Sequence, residues 1–365
     1  MNILLVATVY RCGEKIYPVI EPLAKRHSID VFCLGQMSEN TPWPGNVDLR
    51  KPFYKKCSEV CTNVIQGAGH AGVGKHYRDG KKLCSSLNLS SYDVVLIDDN
   101  LCKSGWGLPA IYRECKRAGV KTVIGSPHGN RGTDEKFVVH NLDRSYDYSF
   151  VFGKKEREFY GKKQNQRNRL IPGGIPSNDK LSSYLNNKPE YILIIPNYTE
   201  PNQAKRAGFR CFRRKTFVDC GVPQLSRKLS LPVVVKEKSK FPRSKQSKSL
   251  QKQLAKFGDV RFLLDVKDDN LLISKAACVI SAPSTLAFKP IQMGIPTVVL
   301  DGFGLLGNFH DFRGLVEPSH RAVMRTVERQ MSHGRDGEWI RHTLEGGVDY
   351  RSTDCYVGFI ESLVD

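Results

Sequence analysis

Short apolar runs bounded by turn residues recur along this chain with amphipathic segments between them, and the whole pattern starts again near residue 191. Runs of this kind mark strands buried on both faces of a parallel sheet, and their alternation with helical segments gives βαβ units. In the first half, strands are predicted at Ile3–Ala7, Asp30–Leu34, Val94–Ile97, Thr122–Gly125 and Tyr148–Phe152, with helices at Pro18–Arg26 and Leu108–Ala118. In the second half they fall at Tyr191–Ile195, Val233–Lys236, Val260–Leu263, Cys278–Ser281 and Thr297–Leu300. The helices between these are placed at Ala204–Phe217, Ser247–Phe257, Leu271–Lys275 and Ser284–Met293. The fold class is therefore α/β, with two Rossmann-like domains facing a cleft.

A chain of 365 residues exceeds the size at which single cores stop growing. Residues 1–173 are assigned to an N-terminal Rossmann-like domain, 174–190 to a linker rich in turn formers, 191–330 to a C-terminal Rossmann-like domain, and 331–365 to C-terminal helices that cross back to the first domain. The stretch Gln36–Leu89 resists the scheme. Its glycine-rich segment Gly67–Gly74 follows no convincing strand, so it reads as a loop and not as a dinucleotide fingerprint.

The chain carries 56 Lys and Arg against 37 Asp and Glu, a formal charge of +19 that attracts polyanions, with DNA, anionic cell-surface polymer and membrane surface all compatible. Solvated surface charge explains it equally well. Eleven dispersed cysteines form no CxxC pair and no zinc-type spacing, so neither a metal site nor a disulfide framework is expected. Strand-like Asn2–Ala7 directly follows Met1, and no uncharged stretch reaches the ~20 residues of a membrane helix. The expectation is a soluble, cytoplasmic protein, in the host cytoplasm if viral, with peripheral membrane contact left open.

Ligands of open α/β sheets bind outside the carboxyl ends of the strands, which directs attention to the residues just after each run. After the first strand, Arg11 and Gly13 stand where an acceptor or phosphate is received, or in an ordinary βα loop. After the third come Asp98 and Asp99, as a general base or as capping carboxylates. After the fourth comes His128 beside Gly129, able to take a proton or bind phosphate, or to bond loop carbonyls. In the second half, Asn197 and Thr199 follow the first strand, Lys236 ends the next, and Ser281, Ser284 and Thr285 lie between a strand and a helix. There the amides and hydroxyls of a helix start can receive a diphosphate, although simple N-capping accounts for the Ser and Thr on their own.

The segment Ser281-Ala-Pro-Ser-Thr-Leu-Ala-Phe-Lys-Pro-Ile-Gln-Met-Gly-Ile-Pro-Thr-Val-Val-Leu300 resembles the Ser/Thr turn, helix and Gly-hydrophobic-Pro stretch of GT-B glycosyltransferases. It is similar in the same way to their relatives, the CDP-glycerol glycerophosphotransferases and UDP-N-acetylglucosamine 2-epimerases. Gly174–Leu181 resembles the Gly-x-Pro-x-Asn-Asp linker of the glycerophosphotransferase branch, and His128-Gly129 its His-Gly motif. One departure favours a sugar donor: where glycerophosphotransferases carry Lys and then His-Pro, this chain has Lys236-Glu-Lys-Ser239.

The resemblance implies a glycosyltransferase, without metal or cofactor beyond its nucleotide-sugar substrate, acting on an acceptor hydroxyl. His128 or one of Asp98 and Asp99 would be the base. From the +19 charge, the expected acceptor is a polyanion, with hydroxylated-base DNA of the phage type as a candidate. Competing expectations are a cell-surface polymer or lipid glycosyl- or glycerophosphotransferase, a UDP-sugar 2-epimerase, and an inactive, basic nucleic-acid-binding scaffold.

Overall fold

In the computed structural model, the described residues are 1–7, 10–33, 52–66, 87–97, 108–124, 147–164, 169–196, 208, 210–237, 245–263, 266–304 and 306–363. They divide into two compact units: one ends at Asp179 and takes in Arg341–Asp365, and the other spans Lys180–Ile340.

The first unit holds a seven-stranded sheet in the order β3-β2-β1-β4-β5-β6-β7. Its strands are β1 Asn2–Ala7, β2 Ser28–Cys33, β3 Asn63–Gln66, β4 Val94–Ile97, β5 Lys121–Ile124, β6 Tyr148–Val151 and β7 Leu170–Pro172. All pairings are parallel, with Ile3 opposite Ile29 on one side and Val94 on the other. Alternation along β1 shows why a continuous apolar run is needed. Ile3, Leu5 and Ala7 enter one core with Ile16, Val19, Ile20 and Leu23 of helix Tyr10–Ala24, while Leu4 and Val6 enter the opposite core with Ile111, Tyr112 and Cys115.

Helix Tyr10–Ala24 starts eight residues before its predicted start and runs through Pro18 and Pro22. A proline favours the first helical turn, which is why Pro18 reads as a start. The buried face spaced 16, 19, 20 and 23 outweighs the two missing amides.

The chain's last helix, Ser352–Glu361, belongs to this unit. Tyr356 stacks on Phe150 of β6 with ring centroids 3.7 Å apart, and Val357 and Ile360 join the same core. Residues 174–179, read from sequence as part of a linker, lock that helix in place. Asp179 accepts the amide N–H of Ser352 on Oδ1 at 3.0 Å and that of Thr353 on Oδ2 at 2.7 Å, capping the helix from another part of the chain. Gly174 has φ +73°, and a Cβ there would stand 2.0 Å from the Glu345 carbonyl oxygen. The Gly-Ile-Pro-Ser-Asn-Asp segment thus has a structural role, and it continues as the 3-10 helix Pro176–Tyr184.

The second unit holds a six-stranded, wholly parallel sheet in the order β10-β9-β8-β11-β12-β13. The strands are β8 Tyr191–Ile195, β9 Val233–Lys236, β10 Val260–Leu263, β11 Ala276–Ser281, β12 Thr297–Leu300 and β13 Leu315–Val316. Ile192 and Ile194 of β8 face the core formed with Phe217, Leu225, Leu250, Val323 and Val327, while Leu193 faces the one with Leu272 and Ile273. Two of the predicted helices differ in extent, with Ser284–Met293 reduced to Phe288–Gln292 behind a 3-10 turn. Of the predicted helix Ala204–Phe217, residues 204–207 and 209 lie outside the described residues; Arg213 is extended, a helix runs over Arg214–Asp219, and another follows at Val222–Leu229 behind left-handed Gly221. Residues 331–340 lie in this unit, whereas the sequence grouped them with the terminal helices.

Candidate functional site

Strand order reverses in the second sheet between β8 and β11: the chain leaves β8 toward β9 and returns to pair on its other side. At such a switch point the two outgoing connections diverge and leave a crevice at the carboxyl ends. The amide of Ala282, just past β11, donates to Ile195 O of β8 at 3.0 Å, so the strands stay joined to the edge of that crevice.

Three charged side chains meet beside it. Lys236, the last residue of β9, has its Nζ 3.3 Å from Asp269 Oδ1, with only 13% of its side chain exposed. Asp269 opens helix Asp269–Ser274, which follows β10 and so begins at the same edge. Lys289, on helix Phe288–Gln292, donates from Nζ to Asn270 Oδ1 at 2.6 Å. Burial pulls the Lys289 ammonium down to about 8; Lys180 and Lys236 push the same way, while Asp269 and Asp268 oppose them.

Asp268 is committed to the fold. Its Oδ1 caps helix Asp269–Ser274 through the amides of Asn270 and Leu271, and Oδ2 accepts the Tyr184 hydroxyl at 2.7 Å. Burial disfavours its charge, but these donors outweigh it and hold the carboxyl below its ordinary range. The cluster thus gathers the cations Lys180, Lys236 and Lys289 around two carboxylates, one of them already engaged.

Between β11 and helix Phe288–Gln292 the sequence-derived picture changes in detail. Ser281 is fully buried and its Oγ donates to Ala282 O at 2.7 Å, so this hydroxyl serves the strand end and faces no solvent. Ser284 is extended (φ −156°, ψ 158°) and caps a three-residue 3-10 turn, Thr285–Ala287, by accepting the Leu286 amide at 3.2 Å. The Ala287 amide is taken by Ser284 O. The expected helix start with open amides is therefore a short turn whose Leu286 and Ala287 amides are used internally, and the following helix has only five residues, too few for a substantial dipole. What a ligand can reach are the hydroxyl hydrogens of half-buried Ser284 and Thr285.

Sequence reasoning placed Lys236, Ser284 and Thr285 here but missed Lys289 and Asp269. One signal was present: Lys289 is a single charge within the otherwise apolar or neutral run Leu286–Met293. Arg11 and Gly13 fall inside helix Tyr10–Ala24 and not in a loop. In the first sheet the order reverses between β1 and β4. The predicted Asp98 and Asp99 follow β4 in sequence, but they lie outside the described residues, as do His128, Gly129, Asn197 and Thr199. Asp311 accepts the Trp339 indole N–H at 2.9 Å. Among the described residues no group of three His, Cys, Asp or Glu is arranged to hold a metal ion, and no helix is long and apolar enough to cross a membrane.

The sequence matches no protein-family profile. It matches no curated protein either. Solved structures do share its architecture. The UDP-GlcNAc 2-epimerase from Neisseria meningitidis bound to UDP-GlcNAc is 12% identical, with 100% of both chains covered and a TM-score of 0.64. The UDP-GlcNAc 2-epimerase from Methanocaldococcus jannaschii is 12% identical over 100% of this chain and 99% of its own, with a TM-score of 0.65. Anabaena HepE in complex with UDP and glucose is 12% identical over 100% of both chains, with a TM-score of 0.59. At this identity the likeness establishes the fold: two parallel-sheet α/β units of the GT-B type.

Proposed function

We propose that this protein is an enzyme of nucleotide-sugars and that the carboxyl edge of the second unit's sheet holds the nucleotide diphosphate. The observation that carries this reading is the gathering of Lys236, paired with Asp269, and Lys289, bonded to the adjoining Asn270, at the carboxyl edge of the sheet, where Ser284 and Thr285 follow β11. A diphosphate supplies the negative charge that three lysines around two carboxylates call for. It also accepts hydrogen bonds from both hydroxyls. As the sugar departs, charge grows on the diphosphate, and fixed cations there lower the barrier.

The reaction is transfer of the sugar to an acceptor hydroxyl, with His128 or one of Asp98 and Asp99 as the base. The +19 charge supports a polyanionic acceptor, with DNA as one candidate. A second reading, 2-epimerisation of a UDP-sugar, is favoured by the solved epimerases of this fold.

One experiment separates the two. The protein is incubated with UDP-GlcNAc, and in parallel with other UDP-, GDP- and CDP-sugars, with and without a hydroxyl-bearing polyanion. Transfer gives free nucleoside diphosphate that rises with acceptor, whereas epimerisation gives a new UDP-sugar from donor alone. Absence of any product or binding across the panel sinks both readings.

A further inference from the structure

The second unit has another concave site, at the opposite edge of its sheet, where the amino ends of β12 and β13 lie. A cavity of about 460 Å³ opens there between the end of helix His320–His333 and the start of helix Gly337–Thr343. That volume suits a ligand of mononucleotide or sugar-phosphate size. Its walls are of three kinds. Ile291, Ile295 and Phe312 form an apolar side. Arg313, Arg329 and Arg335 bring three guanidinium groups, with His333 beside them. Asp336 and Glu338 supply two carboxylates.

The shape is fixed by the fold. Gln330 holds the helix to the sheet by pairing with the backbone of Thr297, accepting its N–H at 2.5 Å and donating to its carbonyl at 3.0 Å. Arg329 is oriented by a hydrogen bond to the Arg313 carbonyl. The Arg335 stem lies across Gly294, where φ is +76° and a Cβ would be 3.4 Å from Arg335 Cβ. The left-handed φ of +76° is what favours glycine at this turn.

We propose that this cavity is a second small-molecule site that recognises a phosphate monoester carrying a sugar or nucleoside. Guanidinium groups match phosphate oxygens in bidentate geometry, the carboxylates accept hydrogen bonds from sugar hydroxyls, and the apolar wall covers the ring. The site shares no residue with the lysine cluster and does not depend on the function proposed for it.

The test is calorimetric titration of glucose 1-phosphate, UMP and inorganic phosphate into three proteins: wild type, Arg313→Gln/Arg335→Gln, and Lys289→Met. Circular dichroism and thermal melting establish that each is folded. Glucose 1-phosphate or UMP should bind wild type and Lys289→Met alike and bind at least tenfold more tightly than inorganic phosphate. The double arginine variant should lose at least tenfold in affinity. The proposal is overturned if neither organic phosphate binds, if inorganic phosphate binds as well, or if the arginine variant is unaffected. Tenfold or greater preference for a short single-stranded oligonucleotide over UMP also overturns it, and would make the face a polymer contact.

Discussion

Asp179 in the first unit and Asp269 in the second are both partly buried carboxylates near the start of a helix. Their surroundings separate them. Both oxygens of Asp179 accept backbone amides, from Ser352 and Thr353, so its bonding capacity is directed into the chain itself. Asp269 faces Lys236, and Lys289 stands close enough to feel both. A carboxylate used up by amides holds a fold together. Cations gathered in excess of carboxylates, at a strand-order reversal, favour an anion from outside.

This contrast can be broken at several points. The largest effect is expected from Gly174→Ala beside the Asp179 cap: a left-handed φ and a Cβ 2.0 Å from the Glu345 carbonyl oxygen should cost at least about 3 kcal/mol in urea unfolding. An unchanged midpoint would mean that Gly174 does not tie the terminal segment down. Asp179→Ala removes two amide acceptors at the start of helix Ser352–Glu361 and should lower stability by about 2 kcal/mol, leaving nucleotide binding intact. Loss of UDP affinity in that variant would erase the distinction between the two clusters.

Ser284→Ala sits on the other side of the comparison. It removes a cap from a short turn, worth about 1 kcal/mol, and should in addition weaken UDP binding severalfold. A melting shift with unchanged UDP affinity would reduce Ser284 to its cap. The smallest effect belongs to Tyr356→Phe. The Tyr356 hydroxyl is buried with no hydrogen-bond partner among the described residues, so its removal should change the unfolding free energy by under about 0.5 kcal/mol or raise it slightly. A substantial loss would show that the hydroxyl does have a partner.

The fold was legible wherever a strand is buried on both faces. The runs at β1, β4, β8, β9, β11 and β12 are almost wholly apolar because successive residues, which point to opposite faces, are buried. Strands β3, β7 and β13 were missed: β3 ends in Asn63 and Gln66, β7 has three residues and β13 two, too little for periodicity to register. Local sequence placed Lys236 and the Ser284–Thr285 turn correctly at strand ends. It could not show that Ser281 turns inward, nor that Lys289 reaches Asn270, nineteen residues earlier in the chain, because helix Asp269–Ser274 is brought to it only by the sheet.

The most direct measurement is calorimetric titration of UDP at pH 7 and pH 9 into wild type and Lys289→Met. Below about pH 8 Lys289 is charged before the ligand arrives; above it, binding must first take up a proton, so affinity should fall as pH rises. Wild type is predicted to bind UDP roughly tenfold more weakly at pH 9 than at pH 7, with Lys289→Met weak and insensitive to pH. Equal affinities for the two proteins at both pH values, or no binding by wild type, would contradict a diphosphate site at this edge.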